Sequence, residues 1–152
     1  MNKTLLADIV QLQVRSGKSL NLRVSGISME PTLHEGDLVK VESKAEYEIG
    51  DILVFRYKES NILVHRLLQK DSKSFFCKGD NAFRFEEIDQ NHIIGTVTKI
   101  NGNQVVDWSD ELIDLSYAVG QVFSICGNID MVKTRKVYKK YKALLANTYR
   151  EP

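Results

Sequence analysis

Between residues 37 and 106 the chain is a series of short β-prone runs, each cut off by a turn signal, and this punctuation limits what it can fold into. The runs lie at 37–41, 51–57, 62–68, 75–77, 92–100 and 104–106. Ahead of them Leu20, Leu22 and Val24 alternate with polar residues, the period of a half-buried strand. The breaks carry Gly36, Gly50, Ser60-Asn61, Asp71-Ser72, Gly79-Asp80-Asn81 and Asn101-Gly102-Asn103. Asn101-Gly102 suits a tight hairpin, because both residues tolerate positive φ.

At both ends the period changes to that of a helix. Residues 2–16 place Leu5, Leu6, Ile9, Val10 and Leu12 or Gln13 near helical spacing, with Gly17 just beyond. After Trp108, residues 111–123 form one candidate helix and residues 130–149 another. The latter carries Val132, Val137, Tyr138, Tyr141, Leu144 and Leu145 on a broad apolar stripe. The chain has 152 residues, enough for one real core. The expected division is a β domain with an N-terminal amphipathic helix over 1–108, and a helical tail over 109–152 packed on it or peripheral.

Several function classes lack support. A net charge of +1 does not call for nucleic acid, and no nucleic-acid partner is expected. No early apolar run precedes a small-residue cleavage site. No stretch reaches the ~18 apolar residues of a spanning helix. The longest candidate, 112–126, is broken by Asp114, Ser116, Gln121 and Ser124. The expectation is a soluble protein, cytoplasmic or peripheral to a membrane. Cys77 and Cys126 read as small hydrophobes, and with His34, His65 and His92 they form no zinc spacing. No cofactor and no metal are expected.

Three segments carry candidate chemistry. In Ser25-Gly26-Ile27-Ser28-Met29-Glu30-Pro31-Thr32-Leu33, Pro31 fixes its own φ and biases Glu30 away from helix, while Gly26 allows a tight turn. Ser28 is thereby held on a defined loop straight after a strand. Such a hydroxyl is a weak nucleophile until a base takes its proton, and the segment also reads as a Ser-rich turn. In Leu63-Val64-His65-Arg66-Leu67-Leu68 the histidine suits a general base at neutral pH, although a strand histidine is more often structural. In Cys77-Lys78-Gly79-Asp80-Asn81 the aspartate either orients an imidazole or caps the turn.

Taken in order, the segments Ser28-Met29-x-Pro31-Thr32-Leu33, Gly36-Asp37, Gly50-Asp51-Ile52-Leu53, Val64-His65-Arg66-Leu67, Lys78-Gly79-Asp80-Asn81 and Ile94-Gly95-Thr96-Val97 resemble the type I signal peptidase and LexA-like serine peptidase superfamily. Within it they resemble the endoplasmic-reticulum and archaeal branch, where a His replaces the usual catalytic Lys. The resemblance covers about residues 20–100. It implies a mainly β fold with flanking helices, a coiled antiparallel sheet carrying the catalytic pair beside a substrate groove. It implies a serine endopeptidase acting on a peptide or protein precursor, with Ser28 as nucleophile and His65 as base. Gly26, Ile27, Met29 and Pro31 would form the nucleophile and substrate loop. Asp80 falls in the family's Gly-Asp-Asn box and is the first choice for the acid behind His65. Glu86, or Glu87, is a looser match to a further supporting acid. Some relatives place a hydroxyl residue two before the nucleophile; Gly26 stands there, leaving the oxyanion to backbone N–H groups, including that of Ser28. Arg66 reads as an ion-paired or solvated neighbour.

The chain also departs from that pattern. Where signal peptidases carry a membrane tether, it has a helix with Lys3, Asp8 and Arg15, which favours trimming of a peptide precursor over bulk signal-peptide removal. LexA-like self-cleavage needs a scissile bond upstream of the nucleophile, and the 27 residues before Ser28 hold none of that type. A non-catalytic module that binds peptides by strand addition is the alternative from another class. The basic residues from Lys133 to Arg150 read first as a solvated helix face, then as a peripheral membrane-contacting helix, and last as a nucleic-acid contact.

Overall fold

The computed structural model describes residues 3–58 and 61–150. Asn2 and Ser60, expected in the first helix and in a turn, lie outside the described residues. Eight strands follow a first helix, α1 (Lys3–Arg15): β1 (Leu20–Arg23), β2 (Leu38–Glu42), β3 (Ile52–Tyr57), β4 (Asn61–Lys70), β5 (Ser74–Lys78), β6 (Glu86–Asp89), β7 (Ile93–Ile100) and β8 (Asn103–Gln104). Helices α2 (Asp110–Cys126), α3 (Ile129–Lys133) and α4 (Lys136–Thr148) close the chain. The strands form one curled antiparallel sheet in the order β1-β2-β7-β3-β4-β5-β6, with β8 on β7.

The sheet is buried on both sides. Along β3, Ile52 and Val54 face a core completed by Val10 and Val14 of α1, Met29, Leu33 and Val39. Leu53 and Phe55 point the other way, to Leu67, Phe75, Cys77 and Ile88. The first four of the six β3 side chains are therefore at most 1% exposed, and each buried aliphatic or aromatic group contributes about 1.5–3 kcal/mol. A third cluster joins Leu68 and Trp108 to Leu112, Val119, Val132, Tyr141 and Leu145 of the C-terminal helices.

Three sequence expectations shift. The first helix buries Ala7, Val10, Gln11 and Val14, whereas Leu5, Leu6, Ile9 and Leu12 are exposed. The small residues, rather than the leucines, let the helix lie close on the sheet. The run at 104–106 is a strand only through Gln104, because the chain then leaves to lay Trp108 over the Arg66 guanidinium, 3.8 Å from ring centroid to Cζ. The helix expected over 130–149 is two. The Thr134 hydroxyl bonds back to the Met131 carbonyl, and the N–H groups of Thr134 and Arg135 close a last turn. This competition with the helical ladder is common for Thr, and the break lets Val132, Tyr141 and Leu145 all reach the core.

Candidate active site

The chain leaves β1 and crosses Gly26 at φ 83°, a left-handed conformation that favours glycine. Ser28 follows on the outside of the loop, and Met29, 2% exposed, anchors it inward. The Glu30–Pro31 peptide is cis. His65 comes from the middle of β4, opposite Leu53 of β3. Although 37 residues apart in sequence, the two meet: Ser28 Oγ lies 3.0 Å from His65 Nε2.

Strand register brings the third group. His65 and Leu67 are two apart on β4 and share a face; Leu67 is opposite Cys77 on β5, and Cys77 is opposite Glu86 on β6. Glu86 therefore reaches back across the same face, and its Oε1 lies 2.5 Å from His65 Nδ1. A carboxylate only accepts, so Nδ1 carries the proton and donates it to Glu86, leaving Nε2 to accept from the Ser28 hydroxyl. His65 and Glu86 are each 7% exposed, and the Phe55 ring stands edge-on to the imidazole at 6.2 Å. The imidazole is thus fixed in tautomer and orientation, with its free lone pair on a hydroxyl.

Asp80, the acid expected first behind His65, does not occupy that place. Its carboxylate accepts from Arg66 Nε at 3.0 Å and Nη2 at 2.9 Å, and from the Thr32 hydroxyl at 2.5 Å. The physical reason is the strand pleat. Arg66 follows His65 and points to the opposite face, where it and Asp80 are each 1% exposed. Thr32 has one proton and gives it to the carboxylate. Tyr149 Oη, 2.9 Å from Thr32 Oγ1, accordingly donates to Thr32 and itself accepts from the Trp108 indole at 2.9 Å. The arginine expected as an ion-paired or solvated neighbour is the buried partner of the acid expected in the catalytic group.

The loop 78–82 joins the two faces. Asn81 N–H donates to the Ser28 carbonyl and its side-chain amide to the Ile27 carbonyl, while Asp80 N–H points at Met29 Sδ. From behind, Tyr141 donates to the Asp80 carbonyl at 2.6 Å. Lys78 Nζ donates to the carbonyls of Gly79 and Ala82; burial pulls its pKa down from 10.5 to about 8. At Gly79 the backbone comes so close that a Cβ would sit 2.5 Å from the Ser28 carbonyl oxygen and 3.2 Å from His65 Nε2. Thr32, Asn81, Trp108, Tyr141 and Tyr149 had no part in the site as the sequence was read, Tyr141 standing there only on an apolar helix stripe. Thr32 and Asn81 lie inside its motifs, whereas nothing local marks the aromatic residues. Glu87 hydrogen-bonds to Ser74 away from His65.

A groove of about 270 Å³ opens on Ser28 and His65, lined by Leu22, Val24, Met29, Val39, Ile62 and Val64. Among the described residues, no group of three or more His, Cys, Asp or Glu is arranged to hold a metal ion, and no helix is long and apolar enough to cross a membrane.

Residues 3–98 match the sequence profile described as Peptidase S24-like. The match takes in α1, the strands through most of β7, and the three segments that carry Ser28, His65 and Asp80. With the curled antiparallel sheet and its flanking helices, this places the chain in the Peptidase S24-like family, a serine-peptidase superfamily.

Proposed function

We propose that the protein is a serine endopeptidase of the signal peptidase I-like type, in which Ser28 attacks, His65 moves the proton and Glu86 holds His65. The observation that carries this reading is the contiguous hydrogen-bonded line from Ser28 Oγ through both imidazole nitrogens to the Glu86 carboxylate. As Oγ bonds to a peptide carbonyl carbon, Nε2 takes the hydroxyl proton. The C–N bond then breaks and the amine departs with that proton, leaving an ester on Ser28. Water next gives a proton to His65 as its oxygen joins the acyl carbon; Oγ leaves and recovers the proton. Among the described residues no acceptor is hydrogen-bonded to the Ser28 N–H. In this reading that N–H is the donor for the developing oxyanion, worth ~3–4 kcal/mol by comparison with other single oxyanion donors.

Two features favour a peptide substrate in extended form. Among the described residues β1 pairs with β2 alone, and β5 pairs with β4 from Arg66 onward, so β1 and Ile62–Val64 of β4 flank the groove with sheet edges. A peptide strand laid there gains main-chain hydrogen bonds. The apolar lining and modest volume fit small aliphatic side chains next to the scissile bond. Trimming of a peptide precursor is the reaction this arrangement suits.

A library of internally quenched peptides with small aliphatic residues before the scissile bond tests the reading. The wild-type protein should cleave a subset. Ser28→Ala and His65→Ala should each lose that cleavage while keeping the wild-type circular dichroism spectrum. Equal cleavage by wild type and Ser28→Ala would reject it.

A further inference from the structure

We infer that the corner where α2, α3 and α4 meet docks on an anionic lipid surface. The corner lies beyond the residues shared with the family, which end at residue 98. Ile125, on the last turn of α2, is 88% exposed, and Ile129 and Met131 are 44% and 47% exposed. Isolated exposed aliphatics are ordinary, but three within seven residues at one helix junction are not a scatter. Ile125 also borders an open apolar groove with Val122 and Val137, whose rim is Arg135 and Lys136.

Basic residues crowd this corner with almost no acid among them, whereas some cations elsewhere on the surface are paired. Lys40, Lys44, Arg56 and Lys70 each have a carboxylate partner. Among the described residues, Lys133, Arg135, Lys136, Lys139 and Lys140 form no salt bridge. From 127 to 150 the sequence holds a single acid, Asp130. Unpaired cations around protruding aliphatic groups complement a bilayer whose headgroups are anionic and whose interior is apolar. A nucleic acid would use the cations and leave the aliphatics without a role. A protein would need a cavity to receive Ile125, which a fluid interface does not.

The corner makes the contact, not the apolar face of α4. Tyr141 and Leu145 on that face are buried against the domain. The helices thus stay folded, and Ile125 with its neighbours enters the headgroup layer while the lysines meet phosphate. No part of this depends on peptidase activity.

The test is co-sedimentation of the full chain with phosphatidylcholine vesicles, with or without about one-third phosphatidylglycerol. The wild-type partition coefficient should be at least about tenfold higher on the anionic vesicles and fall with added salt. Lys133→Glu/Arg135→Glu/Lys136→Glu should remove that preference, and Ile125→Asp should lower binding about fivefold or more, since its side chain is the one that leaves water. Ser28→Ala should bind like wild type, which separates this result from the fate of the peptidase reading. Because Ile125 is exposed, its replacement leaves the fold, checked by thermal unfolding, in place. Equal partition of the wild type onto both vesicle types would overturn the inference. So would an Ile125→Asp protein that binds as wild type while the charge variant does not, the pattern of a polyanion contact alone.

Discussion

His65 and Arg66 are adjacent on one strand, and each holds a carboxylate, yet the two pairs do opposite work. On one face Glu86 touches an imidazole whose other nitrogen reaches a hydroxyl at the mouth of a groove. On the other, Asp80 is saturated by Arg66 and Thr32 beneath Trp108 and the C-terminal helices. A charge pair sealed from water has no spare lone pair or proton to lend to chemistry. Its value is that neither ion can lose the other without a large penalty. The imidazole pair has one nitrogen left over, and that nitrogen is the functional one. Motif order alone points to Asp80; the pleat of β4 assigns the acids the other way round.

The comparison breaks most sharply at Glu86. Glu86→Gln replaces a carboxylate that can only accept with an amide that can also donate to Nδ1, so the imidazole tautomer is no longer fixed, and peptide cleavage should fall on the order of 10³-fold or more with little change in unfolding midpoint. Asp80→Asn should do the reverse. It leaves the buried Arg66 charge poorly compensated, at a cost of roughly 3–5 kcal/mol in denaturant unfolding. Cleavage per folded molecule should stay within about tenfold of wild type, since Asp80 does not touch His65. If Asp80→Asn matched Glu86→Gln in activity loss at full stability, the assignment of the two faces would be wrong. Converting Arg66 and Asp80 together to Met and Leu should cost less than Asp80→Asn alone, measured as a double-mutant cycle.

Smaller effects sharpen the picture. Tyr149→Phe deletes one link of the chain from Trp108 to Thr32 and should cost about 1 kcal/mol in chemical unfolding, with activity nearly intact. The mildest test concerns Lys78. Its ammonium is lowered by burial from 10.5 to about 8 in the folded protein. Between those values the unfolded chain binds more protons, so this group makes stability rise with pH across that window and contributes no slope below it. The stability difference between wild type and Lys78→Met, followed from pH 7 to pH 10, should shift in favour of wild type above about pH 8. A constant difference would show that Lys78 titrates normally.

Much of this was legible in the residues. Short β-branched runs between Gly and Asn breaks gave the strands, and Ser28, His65 and the Gly79-Asp80-Asn81 turn stood out by order. What was hidden depends on pairing. Glu-Glu-Ile-Asp at 86–89 is too short and too acidic to announce a strand, so the register Cys77↔Glu86 that delivers the acid to His65 was out of reach, and Glu86 stood only as the looser match the family resemblance offered. The same holds for Tyr141 and Tyr149, whose hydroxyls find Asp80 and Thr32 across 61 and 117 residues. Helical spacing also misjudged α1. Both faces of that helix carry aliphatics, and steric closeness to the sheet, which hydropathy does not encode, selected Ala7, Val10 and Val14.

The most direct trial of the account is covalent. An alkyl fluorophosphonate, which reacts with a hydroxyl only where a base withdraws its proton, should add one phosphonyl mass to the intact native protein. The adduct should map to Ser28 and should be lost in Ser28→Ala and in His65→Ala. Native protein that gains no mass, or an adduct on another residue that persists in Ser28→Ala, would contradict an activated Ser28.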